Sequence, residues 1–400
     1  MTTLTATQTA TLASPGVVAA RPRVLTWPLV RLLVTDFGAM TGFYLLLSAV
    51  PLYATSIGAG GIGAGLSTGV LMLASVGAEL ITPRLAGRFG YRRALLGGLI
   101  LLGAPALLLP LCSTVLAIMA VSVVRGIGFA VVVVTIGALG ATVVPAERRG
   151  EGLGVLGVVS SVPAIVALPL GVWLVPLIGY PLVFAAGAAA ALAGVAAVVG
   201  LPGGEPDAEV PLGVTAGLRT AALAGPATVF AATAMAGGIV VSFVPVAVGQ
   251  VAGSVAVVAL LVQAAASTLT RWWAGRHADR YGAVRLLAPG LAVSAAGILA
   301  LVLIHSPAAV LAGMVVFGTG FGVTQSASMA MMMDRVAPSG YGTVSAMWNM
   351  AYDLGWGAGA ATFGILAAVA GYPAAFAATA ALMLFALPLA HRTATQRPER

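Results

Sequence analysis

Two stretches of this chain repeat one another at a fixed distance of 192 residues. Around Gly90 the order is Glu79-Leu-Ile-Thr-Pro83-Arg84-Leu-Ala86-Gly87-Arg88-Phe-Gly90, and around Gly282 it is Arg271-Trp-Trp-Ala-Gly275-Arg276-His-Ala278-Asp279-Arg280-Tyr-Gly282. At the same offset Val123-Val124-Arg125-Gly126-Ile-Gly128-Phe129 matches Val315-Val316-Phe317-Gly318-Thr-Gly320-Phe321, and Gly150 matches Gly342. A constant offset held across separate segments is the trace of a duplicated structural unit. The fold therefore has to set two copies of one unit against each other.

The unit is built from membrane helices. Of the 400 residues 60% are hydrophobic and only 8% are charged, more apolar surface than a water-soluble chain of this length can bury. Apolar stretches of about 20 residues recur, each enough to cross the ~30 Å hydrocarbon core. Twelve are read, at 28–53, 64–83, 94–111, 114–138, 152–175, 182–200, 223–247, 255–273, 286–304, 308–333, 343–366 and 374–390. The 52 glycines suit helices that approach closely in lipid. Cys112 is the single cysteine, so no intrachain disulfide forms. The expected fold is all-α and integral to the membrane, with twelve transmembrane helices in two pseudo-symmetric six-helix bundles.

Charge follows the segments. The formal net charge is +8, and every one of the 19 basic residues is arginine. They cluster in alternate loops: Arg84, Arg88, Arg92 and Arg93 in the second, Arg148 and Arg149 in the fourth, Arg219 in the sixth, Arg276, Arg280 and Arg285 in the eighth, Arg335 in the tenth. Loops 54–63, 248–254 and 367–373 hold no Arg, Asp or Glu. The positive-inside rule then predicts that both termini and all even loops face the cytoplasm of a cell membrane. This alternation argues against nucleic acid as the partner of the basic charge. Residues 1–24 read as a disordered tail, 25–200 as the first bundle, 201–222 as a cytoplasmic linker, 223–390 as the second bundle and 391–400 as a tail. The first apolar segment is too long for a signal peptide, and no cleavage signature follows it.

These features together resemble the major facilitator superfamily of transporters, over nearly the whole chain. The family's cytoplasmic signature is close to G-x-L-A-D-R-x-G-R-R. The second copy keeps Gly275, Ala278, Asp279, Arg280 and Gly282; the first keeps Leu85, Ala86, Arg88, Gly90, Arg92 and Arg93, with Pro83 and Gly87 in place of the leading Gly and the Asp. The resemblance implies that Asp279 caps a neighbouring helix N-terminus across the interface between the bundles; topology alone also accounts for the arginines. Arg125-Gly126-Ile-Gly128 resembles the family's R-G-x-G element, and Gly150-Glu151-Gly152-Leu-Gly154, running on to Pro169-Leu-Gly171, is a degenerate copy of its antiporter motif. Tight packing of kinked helices accounts for the same glycines.

Three charged residues sit deep in apolar segments. Arg125 is about eleven residues from either end of its segment, where a charge costs at least ~2.5 kcal/mol unless it finds a partner. Asp36 lies at a similar depth by the ~1.5 Å rise per residue, so an Asp36–Arg125 pair is expected, either as a fixed ion pair or as part of transport. Asp353 lies near mid-membrane in Ser345-Ala346-Met-Trp348-Asn349-Met-Ala-Tyr352-Asp353-Leu-Gly355-Trp-Gly357, a run that resembles efflux-type members of the family. A carboxyl that gains and loses a proton as water access alternates is what a proton-coupled carrier requires. The alternative is a local hydrogen bond to Asn349, Tyr352 or the opened helix backbone. Glu79 and Arg271 occupy equivalent repeat positions near helix ends. Either they snorkel to water, or Arg271 pairs with Glu151 to close a cytoplasmic gate. Tyr44, Gln263, Gln325, Trp348 and Asn349 are the polar candidates for a substrate cavity, and Met329, Met331, Met332 and Met333 offer an adaptable apolar surface.

The resemblance implies a secondary active transporter without cofactor or metal, not an enzyme. Its antiporter-like motif and two intramembrane acids favour proton-coupled efflux of a small amphipathic drug or metabolite. Its partners are then that substrate, protons and the bilayer, and the chain is expected to work as a monomer. A symporter importing a small metabolite is the second reading. The chain lacks the acidic-Pro-Arg signature expected of sugar importers after the sixth segment. It also lacks an ATP-binding loop and metal-ligand spacing around His277, His305 or His391.

Overall fold

The structure, a computed structural model, describes residues 25–144, 149–201, 220–249, 253–336 and 341–395; they are helical and include no strand. In chain order the helices are α1 (Trp27–Ala54), α2 (Gly60–Glu79), α3 (Thr82–Phe89), α4 (Tyr91–Gly103), α5 (Val115–Val143), α6 (Arg149–Val198), α7 (Ala221–Gly249), α8 (Gly253–Tyr281), α9 (Val284–Ala300), α10 (Pro307–Met333), α11 (Tyr341–Phe385) and α12 (Leu387–Thr395). A π turn, Thr55–Ala59, joins α1 to α2, and 3-10 turns extend α4 and α9. Residues 1–24, 202–219 and 396–400 lie outside the described residues, and with them most of the linker and tails expected from the sequence.

Among the described residues nine apolar stretches are long enough to cross a membrane, and three of them run to 53, 44 and 51 residues, about two crossings each. Each long stretch is broken at a glycine with positive φ: Gly58 and Gly60 between α1 and α2, Gly179 within α6 and Gly371 within α11. Only glycine takes such angles without strain. The breaks in α6 and α11 are reversals. Gly171 packs against Leu45 of α1 and Gly187 against Leu46; in a straight helix those two glycines would lie ~24 Å apart. Across Gly371, the rings of Phe363 and Phe376 are 4.8 Å apart, where a straight helix would hold them ~20 Å apart. Counting each broken stretch as two limbs, the nine stretches give twelve limbs among the described residues.

The 192-residue offset holds in the backbone and the packing as well. Gly179 (φ 77°, ψ 161°) and Gly371 (φ 78°, ψ 164°) are equivalent, and each is followed by Tyr-Pro. Gly90 and Gly282 both have positive φ, and each N–H donates at 2.8 Å to the carbonyl four residues back, Ala86 and Ala278. Thr114 and Ser306 cap α5 and α10 by accepting from Ala117 N–H and Ala309 N–H. A Cβ at Gly126 would collide with the carbonyl oxygen of Leu71, and one at Gly318 with that of Gln263. Gly128 and Gly320 sit in the same way against Leu102 and Ser294. The glycines of the repeated motif are therefore explained by close helix approach in both copies.

This gives a direct test of the packing. Gly126→Ala and Gly318→Ala are expected to cost about 1–3 kcal/mol each by overpacking. Gly137→Ala, where the added methyl meets nothing within 4 Å, is the neutral control. Thermal melting of the purified protein reads the difference.

Two departures from the sequence reading have simple causes. The segment at 94–111 leaves the α-helix after Gly103, where Ala104–Leu111 with Pro105 and Pro110 winds as a 3-10 turn; proline removes an N–H and clashes with the preceding turn. The arginine loop after the second segment contains its own short helix, α3, with Pro83 in its first turn. At the arginine-bearing end of the second repeat, Arg335 donates to the carbonyls of Ala222 and Thr393 and ties the start of α7 to α12. The two repeats meet where α2 packs on α11 and α6 on α8.

Candidate functional site

The two deep acids are both buried, at 3% exposure each. Asp36 stands in the third turn of α1, and its Oδ2 accepts from Ser160 Oγ of α6 at 2.5 Å. Asp353 stands in the fourth turn of α11, and its Oδ2 accepts from Ser75 Oγ of α2 at 2.7 Å. The Asp353–Ser75 bond therefore joins the two repeats. It is not the local bond to Asn349, Tyr352 or the helix backbone that the sequence suggested. Serine is too common in such helices for its role to show in the sequence.

The expected Asp36–Arg125 pair is not formed. Arg125 is buried at 1% exposure, its Nε donates to the carbonyl of Leu102 at 3.3 Å, and its Nη2 has no hydrogen-bond partner. The side chain turns toward α4, while Asp36 turns toward α6. Equal depth in the membrane fixes height, not rotation about the helix axis, and these two side chains differ in rotation.

What gathers instead is a group drawn from both repeats. The hydroxyl of Tyr44 on α1 lies within electrostatic reach of Arg271, Asp36 and Asp353. Tyr352 on α11 lies within reach of Tyr44, Asp353 and Arg271. The Arg271 side chain is solvent-exposed, yet its interacting neighbours are Tyr44 of one repeat and Tyr352 of the other. Arg271 thus lies between Tyr44 of the first repeat and Tyr352 of the second. No pairing with Glu151 is described, because the Glu151 side chain lies outside the described residues.

Behind Tyr352 stands an aromatic wall. Trp348 stacks on Phe230 at 4.4 Å with the planes 13° apart, and Tyr352 and Trp356 are 5.0 Å apart. Trp348 Nε1 donates to Ser328 Oγ at 3.0 Å, so its polar end is already satisfied within the second repeat. Trp348 and Gln325 are buried, at 8% and 9% exposure, and Asn349 is half-buried. Trp348 thus packs within the second repeat, and Tyr352 is the residue of this wall within electrostatic reach of Asp353 and Arg271. Met331 and Met332 lie in the core, which makes them packing residues in this conformation.

Glu79 is half-buried. Its Oε2 is buried without a hydrogen-bond partner, and it lies within electrostatic reach of Asp353. Arg88 and Arg280 are exposed, with Arg88 over the ring of Phe89 at 5.5 Å. Gly90 and Gly282 make the turns already described. A Cβ at Gly275 would meet only Ser326 Oγ, at 3.4 Å. The Asp279 side chain lies outside the described residues.

Toward the arginine-free loops, a cavity of about 660 Å³ lies between the repeats. Leu52, Thr55, Trp173 and Tyr180 line it from the first repeat, and Pro245, Val257 and Tyr372 from the second. Its wall is mainly apolar with a few hydroxyls.

Comparison with known proteins agrees with this architecture. The family model described as Major Facilitator Superfamily matches residues 32–360 and, in a second match, 230–400. No curated protein sequence matches the chain. Among solved structures, the nucleoside transporter NupG superposes with a TM-score of 0.71 at 13% identity, covering 92% of this chain and 100% of that one. A bacterial homologue of the human lysosomal transporter Spinster, inward-facing and unoccupied, gives 0.75 at 15% identity, with 92% and 96% covered. At such identities the likeness is one of fold.

Proposed function

The chain belongs to the major facilitator superfamily, and we propose that this multi-pass transporter exports a small amphipathic drug or metabolite in exchange for protons. The observation that carries the reading is the pair of buried acids. Asp36 and Asp353 are held by single serines, without an arginine hydrogen-bonded to either among the described residues, and they share one electrostatic neighbourhood with Tyr44. A carboxyl without a fixed countercharge is free to exchange its proton when water reaches it, and an intramembrane acid is a functional site by default. The aromatic wall and apolar cavity suit an amphipathic cargo.

In this reading the two repeats rock about the central group. Water reaches Asp36 and Asp353 from one side at a time. Protonation of either acid, or of both, shifts the balance between inward- and outward-open states. The inward proton gradient drives cargo out. The arginine-bearing loops and both termini face the cytoplasm of the cell membrane, and the transporter works as a monomer. Glu79, Arg271, Glu151 and the signature loops Arg88–Gly90 and Gly275–Gly282 form the cytoplasmic gate.

The test is growth of an efflux-deficient bacterium on a panel of lipophilic antibiotics and dyes, with dye accumulation measured in parallel. Expression is expected to confer resistance and lower dye content, and collapse of the proton gradient by an ionophore should abolish both. Raised accumulation that depends on the gradient would favour the symporter reading. Proton-independent resistance would remove the coupling.

A further inference from the structure

Glu79 is the one acid of the site that the mechanism above leaves without a task at the centre. It lies one helical turn from Ser75 on α2, and Ser75 holds Asp353. Residues four apart share a helix face. That face also carries Gly61, Gly65 and Gly69, which pack on Gly364, Ala360 and Ala361 of α11, and Met72 meets Gly357. The seam thus runs from the arginine-free end of α2 down to Glu79. At its lower end it brings together two carboxyl groups from different repeats, with Glu79 Oε2 buried and unpartnered.

We propose that Glu79 and Asp353 form one proton-binding unit, a single proton shared across the contact between the repeats, whose loss unlocks α2 from α11. This rests on the proton-driven reading above and adds a second acid and a stoichiometry to it. Two buried carboxylates side by side repel and do not both ionise easily, and such pairs titrate as a unit. With one proton bound, only one of the two acids is charged and the seam holds. When water takes that proton, two like charges face each other and the seam opens at its basic end.

The other groups nearby do not replace this proton. From α1, Tyr44 reaches Asp353, and Asp36 is held by Ser160 of α6; Tyr352 stands on α11 itself. Arg271 of α8 reaches both tyrosines. Arg125 of α5 turns to Leu102. α7 and α10, which also pack on α11, contain no ionisable side chain, and Arg285 of α9 is exposed.

The experiment is pulsed electron paramagnetic resonance on the full-length protein in lipid nanodiscs, with no substrate added. Spin labels at Arg84→Cys and Arg285→Cys, in a Cys112→Ser background, report the distance across the basic end. From about pH 5 to about pH 9 the open population is expected to grow, by up to ~tenfold in the open-to-closed ratio per pH unit for one proton. Glu79→Gln and Asp353→Asn should each hold one open-to-closed ratio across this range, because one neutral amide removes the titrating repulsion. Glu79→Asp, which keeps the acid but shortens it, should still titrate at a displaced midpoint, and it serves as the second reading if Glu79→Gln folds poorly. A wild-type distance that ignores pH would overturn the proposal, as would a Glu79→Gln titration like that of the wild type. A slope near two protons would overturn the shared proton. Export is read separately by the resistance assay, so an importer that passes this test sinks only the direction of transport.

Discussion

Asp353→Asn is expected to abolish gradient-driven transport while leaving a folded protein that still exchanges substrate. Asparagine keeps the size of aspartate, and its Oδ1 still accepts from Ser75, so the one hydrogen bond that ties α11 to α2 at this depth survives. The loss in stability should stay within about 1 kcal/mol, the worth of a typical hydrogen bond. What the variant cannot do is bind and release a proton. If Asp353 is the carrier, uptake into inverted vesicles driven by a proton gradient should fall at least ~tenfold, equivalent to ~1.4 kcal/mol on the rate-limiting step. Substrate counterflow, which needs no gradient, should persist. Asp36→Asn is the companion measurement, because Asp36 has the same burial and a single serine partner. The acid whose removal abolishes gradient-driven transport but spares counterflow is the carrier. If both variants keep full gradient-driven transport, neither acid carries the proton and the coupling falls with them.

The sequence exposed the architecture because duplication and hydropathy are one-dimensional signals. The offset between Gly90 and Gly282 reappears between the turns at Gly179 and Gly371 and between the helix contacts of Gly126 and Gly318. The Gly-Tyr-Pro pair was open to the same reading and would have marked both reversals in advance. What stayed hidden was rotation about each helix axis. A surface helix reveals its inner face by amphipathic periodicity, but a helix apolar all round gives no such phase. So Asp36 and Arg125 matched in height yet face α6 and α4. For the same reason Ser75 and Ser160 were invisible as partners, and Glu79 read as a gate residue near a helix end although it approaches Asp353. The spacing Gly61, Gly65, Gly69 was legible as a close-packing stripe, but among 52 glycines it did not stand out.

Gly65→Leu should block transport more completely than any change that leaves the acids in place, because it wedges the contact between the repeats. A Cβ at Gly65 would collide with the carbonyl oxygen of Ala360 and lie 3.0 Å from Phe243 Cζ, both in the second repeat. Small residues at every fourth position let helix backbones approach closely, and here the partner α11 answers with Gly357, Ala360, Ala361 and Gly364. A leucine has no room until α2 moves away. Overpacking costs about 1–3 kcal/mol, and a cost of that size falls only on conformations in which the seam is shut. It therefore shifts the closed-to-open ratio by ~5–150-fold. Each repeat keeps its own packing, so the variant should express and melt near the wild type, while transport and counterflow both fail because the cycle cannot pass through the closed seam. Gly77→Leu on the same helix, where an added Cβ meets nothing within 4 Å, should leave transport intact. A Gly65→Leu protein that transports normally would mean that α2 and α11 need not close on each other during the cycle, and the rocking of the repeats would need a different hinge.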